Sequence, residues 1–237
     1  MKPFLTLFPA FLLMLQACAG ADESSDYLNK EELIKKMQDG GLVLYFRHAS
    51  TEKDYADQVS ADVNDGSTQR VLSEKGWHES VRIGRAIRFY EIPVGKVITS
   101  EYFRAWQTAW LAFGEYEKNS DFNFLPHEDY TDEQMAVMKK KVTPYLSSKP
   151  NVDGNLVIVA HDDPFEAATG IYPEPMGICY VLEPLGEGKF NILGFLTPAG
   201  WYAPQHHWSC QVFITKDFLH ALSNIRKSQN FHFRHVF

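Results

Sequence analysis

Three short apolar runs in this chain each end in residues that can hold an anion. Leu42 to Phe46 is followed by Arg47-His48, Val94 to Thr99 by Ser100 and then Arg104, and Asn155 to Ala160 by His161-Asp162. Strands often end in polar residues, so one Arg-His pair alone carries little weight. Two imidazoles and two guanidiniums gathered in one place are harder to explain as structure, because uncompensated cations repel and lose hydration. An oxyanion would reconcile them. A phosphoryl group offers three equatorial oxygens for arginine forks and imidazole N–H groups, and its transfer is catalysed largely by positioning and charge stabilisation.

The elements that must position these residues can be read from the surrounding pattern. Short continuous apolar runs suit strands buried on both faces, as in a parallel sheet, and ligands of open α/β sheets bind at the carboxyl ends of such strands. Residues 47–48, 100–104 and 161–162 would then share one rim. Asn29 can cap a helix through Gln38, with Leu33, Ile34 and Met37 on one side and Gly40-Gly41 ending it. Ser73 caps a second helix over 74–90, whose Trp77, Val81, Ile83, Gly84 and Ile87 form an apolar stripe. A third helix opens at Glu101 and runs to about Phe113, placing Arg104 in its first turn. A cation there opposes the helix dipole, whereas an anion bound to the turn's N–H groups would favour it. A third strand is expected at Phe122–Leu125, then an acidic run from His127 to Glu133 and a helix from Thr131 or Asp132 to about Leu146. Pro164 starts a short helix, and Gly177–Glu183 and Phe190–Leu196 read as the strands of a hairpin. The polar loop from His48 to Arg70 is too long to be only a connection and, with segment 126–135, should frame a pocket. The expected fold class is α/β, a three-layer sandwich with a mostly parallel central sheet flanked by helices.

With the motifs laid out in order, the chain resembles the histidine phosphatase (phosphoglycerate mutase-like) superfamily. The marks are Arg47-His48-Ala49, Leu72-Ser73-x-x-Gly76, Thr99-Ser100-x-x-x-Arg104-Ala105-x-Gln107-Thr108-Ala109 and Val159-Ala160-His161, covering about residues 40–200. The resemblance implies a phosphatase acting on small phosphomonoesters without metal or organic cofactor. His48 would be the nucleophile that becomes a phosphohistidine, and Arg47, Arg104 and His161 would bind the phosphoryl oxygens. His48 must then be neutral at the attacking nitrogen, its other nitrogen donating to a backbone carbonyl. Ala49 stands where the family most often has glycine. The acid that protonates the leaving group differs between family branches: Asp162 fits a His-Asp branch, Glu128 or Asp129 fits a branch using the loop after the third strand, and Glu52 is a further option. A carboxylate without a raised pKa would be a poor acid at neutral pH, so burial should decide among them. A phosphomutase, or a degenerate relative that binds phosphate esters without turnover, are the alternatives.

Composition sets the wider frame. At 237 residues and 45% hydrophobic side chains the chain can bury one sizeable core, and its net charge of −7 disfavours nucleic acid as a partner. Residues 1–17 hold Lys2 and the apolar run Phe4 to Leu15, broken for a helix by Pro3 and Pro9, as in an export signal. Leu15-Gln16-Ala17-Cys18 looks like a bacterial lipobox, which would make Cys18 a lipid anchor and residues 18–28 a tether. An exported protein of a bacterium, periplasmic or anchored as a lipoprotein, is the expected localisation. The phosphatase-like domain should span 29–204. Residues 205–237 form an extension of unknown role that holds five of the nine histidines, but His206-His207 and His232/His235 lack a ligand set that would close a metal site. Cys179 and Cys210 could pair in an oxidising compartment, and the sequence leaves this open.

Overall fold

The computed structural model describes residues 27–52, 57, 61–125, 130–151 and 153–202. The chain enters through α1 (Lys30–Asp39), whose start is fixed by a reciprocal cap. Asn29 Oδ1 accepts from the Glu32 N–H, and Glu32 Oε2 accepts from the Asn29 N–H. Gly40, at φ 75°, ends the helix in a conformation that favours glycine, and β1 (Val43–Arg47) follows with all five residues buried.

Next come α2 (Glu74–Phe89), β2 (Val94–Thr99), α3 (Phe103–Phe113), β3 (Glu117–Lys118), α4 (Asp132–Ser147), β4 (Asn155–Ala160), α5 (Asp162–Thr169), β5 (Cys179–Gly186) and β6 (Lys189–Leu196). They form a six-stranded sheet in the order β3-β2-β4-β1-β5-β6. The first four strands are parallel, and β5 and β6 add an antiparallel edge. Alternate residues of β1 face opposite layers. Leu44 and Phe46 pack with α1, α2 and α3, and Val43 and Tyr45 pack with α4 and α5. The result is the expected three-layer α/β sandwich. Asn155 links three elements at the foot of the sheet. Its Nδ2 donates to Met37 O at 2.7 Å and Pro93 O at 2.9 Å, while Oδ1 accepts from Leu42 N at 3.1 Å.

Two expectations need correction. The strand foreseen at Phe122–Leu125 does not form. Asn119 caps a single 3₁₀ turn, Ser120–Phe122, which drives Phe122 into the core against Tyr145, and the third strand is instead the two-residue Glu117–Lys118. Trp77 is not part of the buried stripe of α2 but is 45% exposed. The helix is turned so that Gly76 and Gly84 face neighbouring backbone, where no side chain fits. Cys179, in β5, is wholly buried and forms no disulfide among the described residues. Cys18, the leader, the tether, Cys210 and the C-terminal extension lie outside the described residues.

Candidate active site

The parallel strands β1, β2 and β4 end side by side, so their following residues meet although they are distant in sequence. His48 is locked at the end of β1 by two backbone bonds, its N–H donating to Ala160 O and its carbonyl accepting from Gly177 N–H, both at 2.9 Å. The ring Nδ1 lies 2.9 Å from Ala49 O. A carbonyl can only accept, so Nδ1 carries the proton and Nε2 presents its lone pair. Burial, followed by the positive charge of Arg104 and the weaker influence of Arg47 and Arg70, holds the His48 pKa well below its ordinary value. The imidazole is neutral at neutral pH.

Arg104 Nε donates to His48 Nε2 at 3.1 Å, and its Nη1 pairs with Asp57 at 2.9 Å. Its guanidinium also lies over Phe124, 4.9 Å from the ring centre. Arg47 binds Asp162 through Nη2 at 2.6 Å and donates from Nη1 to Pro173 O at 3.0 Å. The Tyr172 hydroxyl donates to the same carboxylate oxygen at 2.7 Å. His161, the residue preceding α5, has its ring centre 5.4 Å from that of His48 and its Nε2 2.8 Å from Ser100 Oγ. Burial, then Arg104, His48, Arg47 and Arg70, depress its pKa well below the usual histidine range.

The structure thus brings Arg47, His48, Arg104, His161 and Asp162 together. Glu52 is exposed, and Glu128 and Asp129 lie outside the described residues. Arg70 joins the group unforeseen. Its backbone N–H donates to Asp57 Oδ1 at 2.8 Å, and its charge bears on His48, Arg104 and His161. Nothing periodic marks it in the sequence, since it closes the long polar loop. Asp163 was also missed. Burial, then the neighbouring charge of Asp162, raises its pKa to about 6. The only sequence signal was a second carboxylate in the first turn after His161.

Among the described residues, Arg47 Nε, Arg70 Nε and His161 Nδ1 are buried without any partner. Buried polar nitrogens left unpaired are costly, and the two arginine N–H groups among them, beside a nucleophile, suit an anionic ligand with several oxygens. His48 has no exposed surface, and its Nε2 meets the Arg104 guanidinium, which in turn holds Asp57. No three His, Cys, Asp or Glu side chains gather as metal ligands among the described residues. A surface groove of about 730 Å³ between α2 and Trp201-Tyr202 contains none of the converging residues.

No family model matches the sequence, and no curated protein matches it. Solved structures do. The protein histidine phosphatase SixA, solved with tungstate, superposes with a TM-score of 0.50 at 12% identity, over 68% of this chain and 99% of that one. A mycobacterial glucosyl-3-phosphoglycerate phosphatase solved with VO3 gives 0.48 at 13% identity, over 64% and 97%. A protein described as mycobacterial hydrolase 1 gives 0.48 at 13%, over 65% and 96%. The likeness to the first is one of fold, and this chain has the phosphoglycerate mutase-like fold.

Proposed function

We propose that the chain is a histidine phosphatase, hydrolysing small phosphomonoesters through a phosphohistidine on His48. One observation carries the proposal: a neutral imidazole whose Nδ1 is tied to Ala49 O, so that its Nε2 lone pair faces Arg104, with the charges of Arg47 and Arg70 bearing on the ring and His161 beside it. On binding, the phosphoryl oxygens take over the guanidinium donors, and Arg104 Nε exchanges His48 Nε2 for an oxygen. Nε2 then forms a bond to phosphorus as the ester P–O bond breaks, and the leaving oxygen departs with a proton. Water attacks the phosphohistidine next, returning the electron pair to Nε2 and releasing phosphate. The arginines stabilise the charge that grows on the equatorial oxygens in both steps.

Asp162 is the proposed donor to the leaving oxygen, with Glu128 and Asp129 as alternatives. Burial and the charge of Asp162 raise the pKa of neighbouring Asp163 to about 6, so under mildly acid conditions a protonated carboxyl stands next to the proposed donor. Export and acylation of Cys18 belong to the same proposal and are read by mass spectrometry of the mature N-terminus. A second reading, binding of phosphate esters without turnover, is favoured by the cap that Arg104 places on Nε2. Assay of the full chain and its His48→Ala variant on p-nitrophenyl phosphate between pH 4 and 8 separates them. Turnover lost on substitution supports the phosphatase, and saturable binding with no phosphate release supports the second reading. Undiminished turnover in the variant removes the mechanism.

A further inference from the structure

The hydrogen-bond partners of Ser100 determine which nitrogen of His161 carries its proton. Asn123 Oδ1 accepts from the Glu101 N–H at 2.9 Å, and Asn123 Nδ2 donates to Glu101 Oε2 at 2.8 Å. A flipped amide would set donor against donor and acceptor against acceptor, so the orientation is fixed. Ser100 Oγ lies 2.8 Å from that same Oδ1, which has no hydrogen to give. The hydroxyl proton of Ser100 therefore goes to Asn123. The two remaining lone pairs of Oγ accept, one from the Tyr102 N–H at 3.2 Å and one from His161 Nε2 at 2.8 Å. The hydroxyl is then fully satisfied, with one donation and two acceptances. The other possibility, Ser100 donating to His161, would leave two oxygen lone pairs facing one another at 2.8 Å.

His161 consequently bears its proton on Nε2, and the nitrogen left for a ligand is Nδ1, a buried lone pair with no partner. A lone pair cannot hold a phosphoryl oxygen. We infer that Ser100 and Asn123 are positioning residues that leave Nδ1 of His161 bare, so that a phosphoryl group binds only together with one proton shared with that nitrogen. The proton arrives either as the P–OH of a monoanionic ester donating to Nδ1 or from solvent, converting the ring to imidazolium. Both routes give the same count, one proton taken up for each dianionic ester bound. Arg104 from α3, Arg47 from β1, His48 just after it and Arg70 from the long loop are the charged or titratable groups facing His161, with the Tyr102 ring at 5.4 Å. Asp57 and Asp162 offset the charge on Arg104 and Arg47, and Glu101 lies behind Asn123. The three cations oppose an imidazolium in the empty site, and a bound phosphate removes that opposition.

The inference rests on the phosphatase reading for its ligand but not for its tautomer, and two measurements keep them apart. Long-range ¹H–¹⁵N spectra of the histidine-labelled full chain report the tautomer directly. The expected result is an Nε2–H signature for His161 and Nδ1–H for His48; an Nδ1–H signature for His161 in the unliganded protein would overturn the inference. Binding of tungstate above pH 7.5, a tetrahedral dianion with no O–H of its own, followed calorimetrically in two buffers of different ionisation enthalpy, counts protons. Uptake of one proton is expected, with affinity falling about tenfold for each pH unit gained, the linkage slope of one proton. Asn123→Leu frees the Ser100 hydroxyl to donate to His161 Nε2, so its expected signature is Nδ1–H, with proton uptake lost and affinity nearly flat with pH. Binding without proton uptake in the parent protein would overturn the inference. Absence of any tungstate binding would instead count against the phosphatase reading, with the spectra still deciding the tautomer.

Discussion

At the scale of single residues, the site is a set of cations whose hydrogen bonds are incomplete until an anion arrives. Arg104 is the pivot, since its Nε caps the nucleophile and its Nη1 holds Asp57. Lysine keeps the charge but not the fork that serves two partners at once, so Arg104→Lys is expected to lower kcat/KM on p-nitrophenyl phosphate by about 10²-fold or more. Arg70 offers a milder test, because its buried Nε has no partner in the unliganded site. Arg70→Gln should weaken inorganic phosphate binding by about tenfold, the loss of one charge-assisted bond, while leaving the thermal midpoint nearly unchanged. Equal phosphate affinity in the variant would place Arg70 outside the binding set. The His48, Arg104 and His161 positions were legible in the sequence because each follows a strand end. Arg70, Asp163 and Asn123 were not, since a residue at the end of a long loop, a second aspartate in a helix turn and an amide in an apparent strand carry no periodic signature.

At the scale of elements, two glycines of α2 hold the frame at close range. A Cβ on Gly76 would lie 1.9 Å from Ser50 O, and one on Gly84 would lie 2.0 Å from Ala112 O. Gly84→Ala must push α2 off α3, with an expected loss of about 1–3 kcal/mol in urea unfolding, the range for overpacked contacts. Gly76→Ala strikes nearer the chemistry. Ser50 O accepts from Ser73 N–H, and Ser50 N–H donates to the buried Glu79, so the segment that carries His48 would shift. Turnover as well as stability should fall for Gly76→Ala, whereas Gly84→Ala should lose mainly stability. The continuous apolar runs of β1, β2 and β4 made the central strands readable, because strands buried on both faces need them. β3 was unreadable for the same reason reversed: Glu117 and Lys118 form an exposed two-residue edge with no apolar pattern. Phe122, Phe124 and Leu125 gave a false strand signal, since Phe122 is buried by a capped turn rather than by a sheet.

At the scale of the whole molecule, one sheet gathers residues 47, 70, 104 and 161 by parallel crossovers, and the site charges thereby become linked to folding. His48 and His161 are buried neutral, so the unfolded chain binds up to two more protons than the folded one once pH falls below the ordinary histidine value of 6.5. Their contribution is intact above that value and lost as pH drops. Asp163 acts oppositely, its folded-state proton being retained up to about pH 6. Urea midpoints should therefore be level between pH 7 and 8 and fall below about 6.5. Because the proton that folding places on Asp163 offsets one of the two histidine protons, the slope should stay near one proton, about 1.4 kcal/mol per pH unit. Replacing both histidines by glutamine should flatten the acid limb; an unchanged limb would show that their neutrality does not govern acid stability. The sandwich and its rim followed from the order of apolar runs, whereas the roles of residues 1–26 and 203–237 have no counterpart among the described residues.

The most direct measurement is a trap of the covalent intermediate: mixing the full chain with a phosphate ester, quenching in alkali, where phosphohistidine survives, and mapping the adduct by mass spectrometry. One phosphoryl group on His48, absent from His48→Ala, is the expected result. Steady release of phosphate with His48 never modified, or an adduct on another residue with His48→Ala still active, would contradict it.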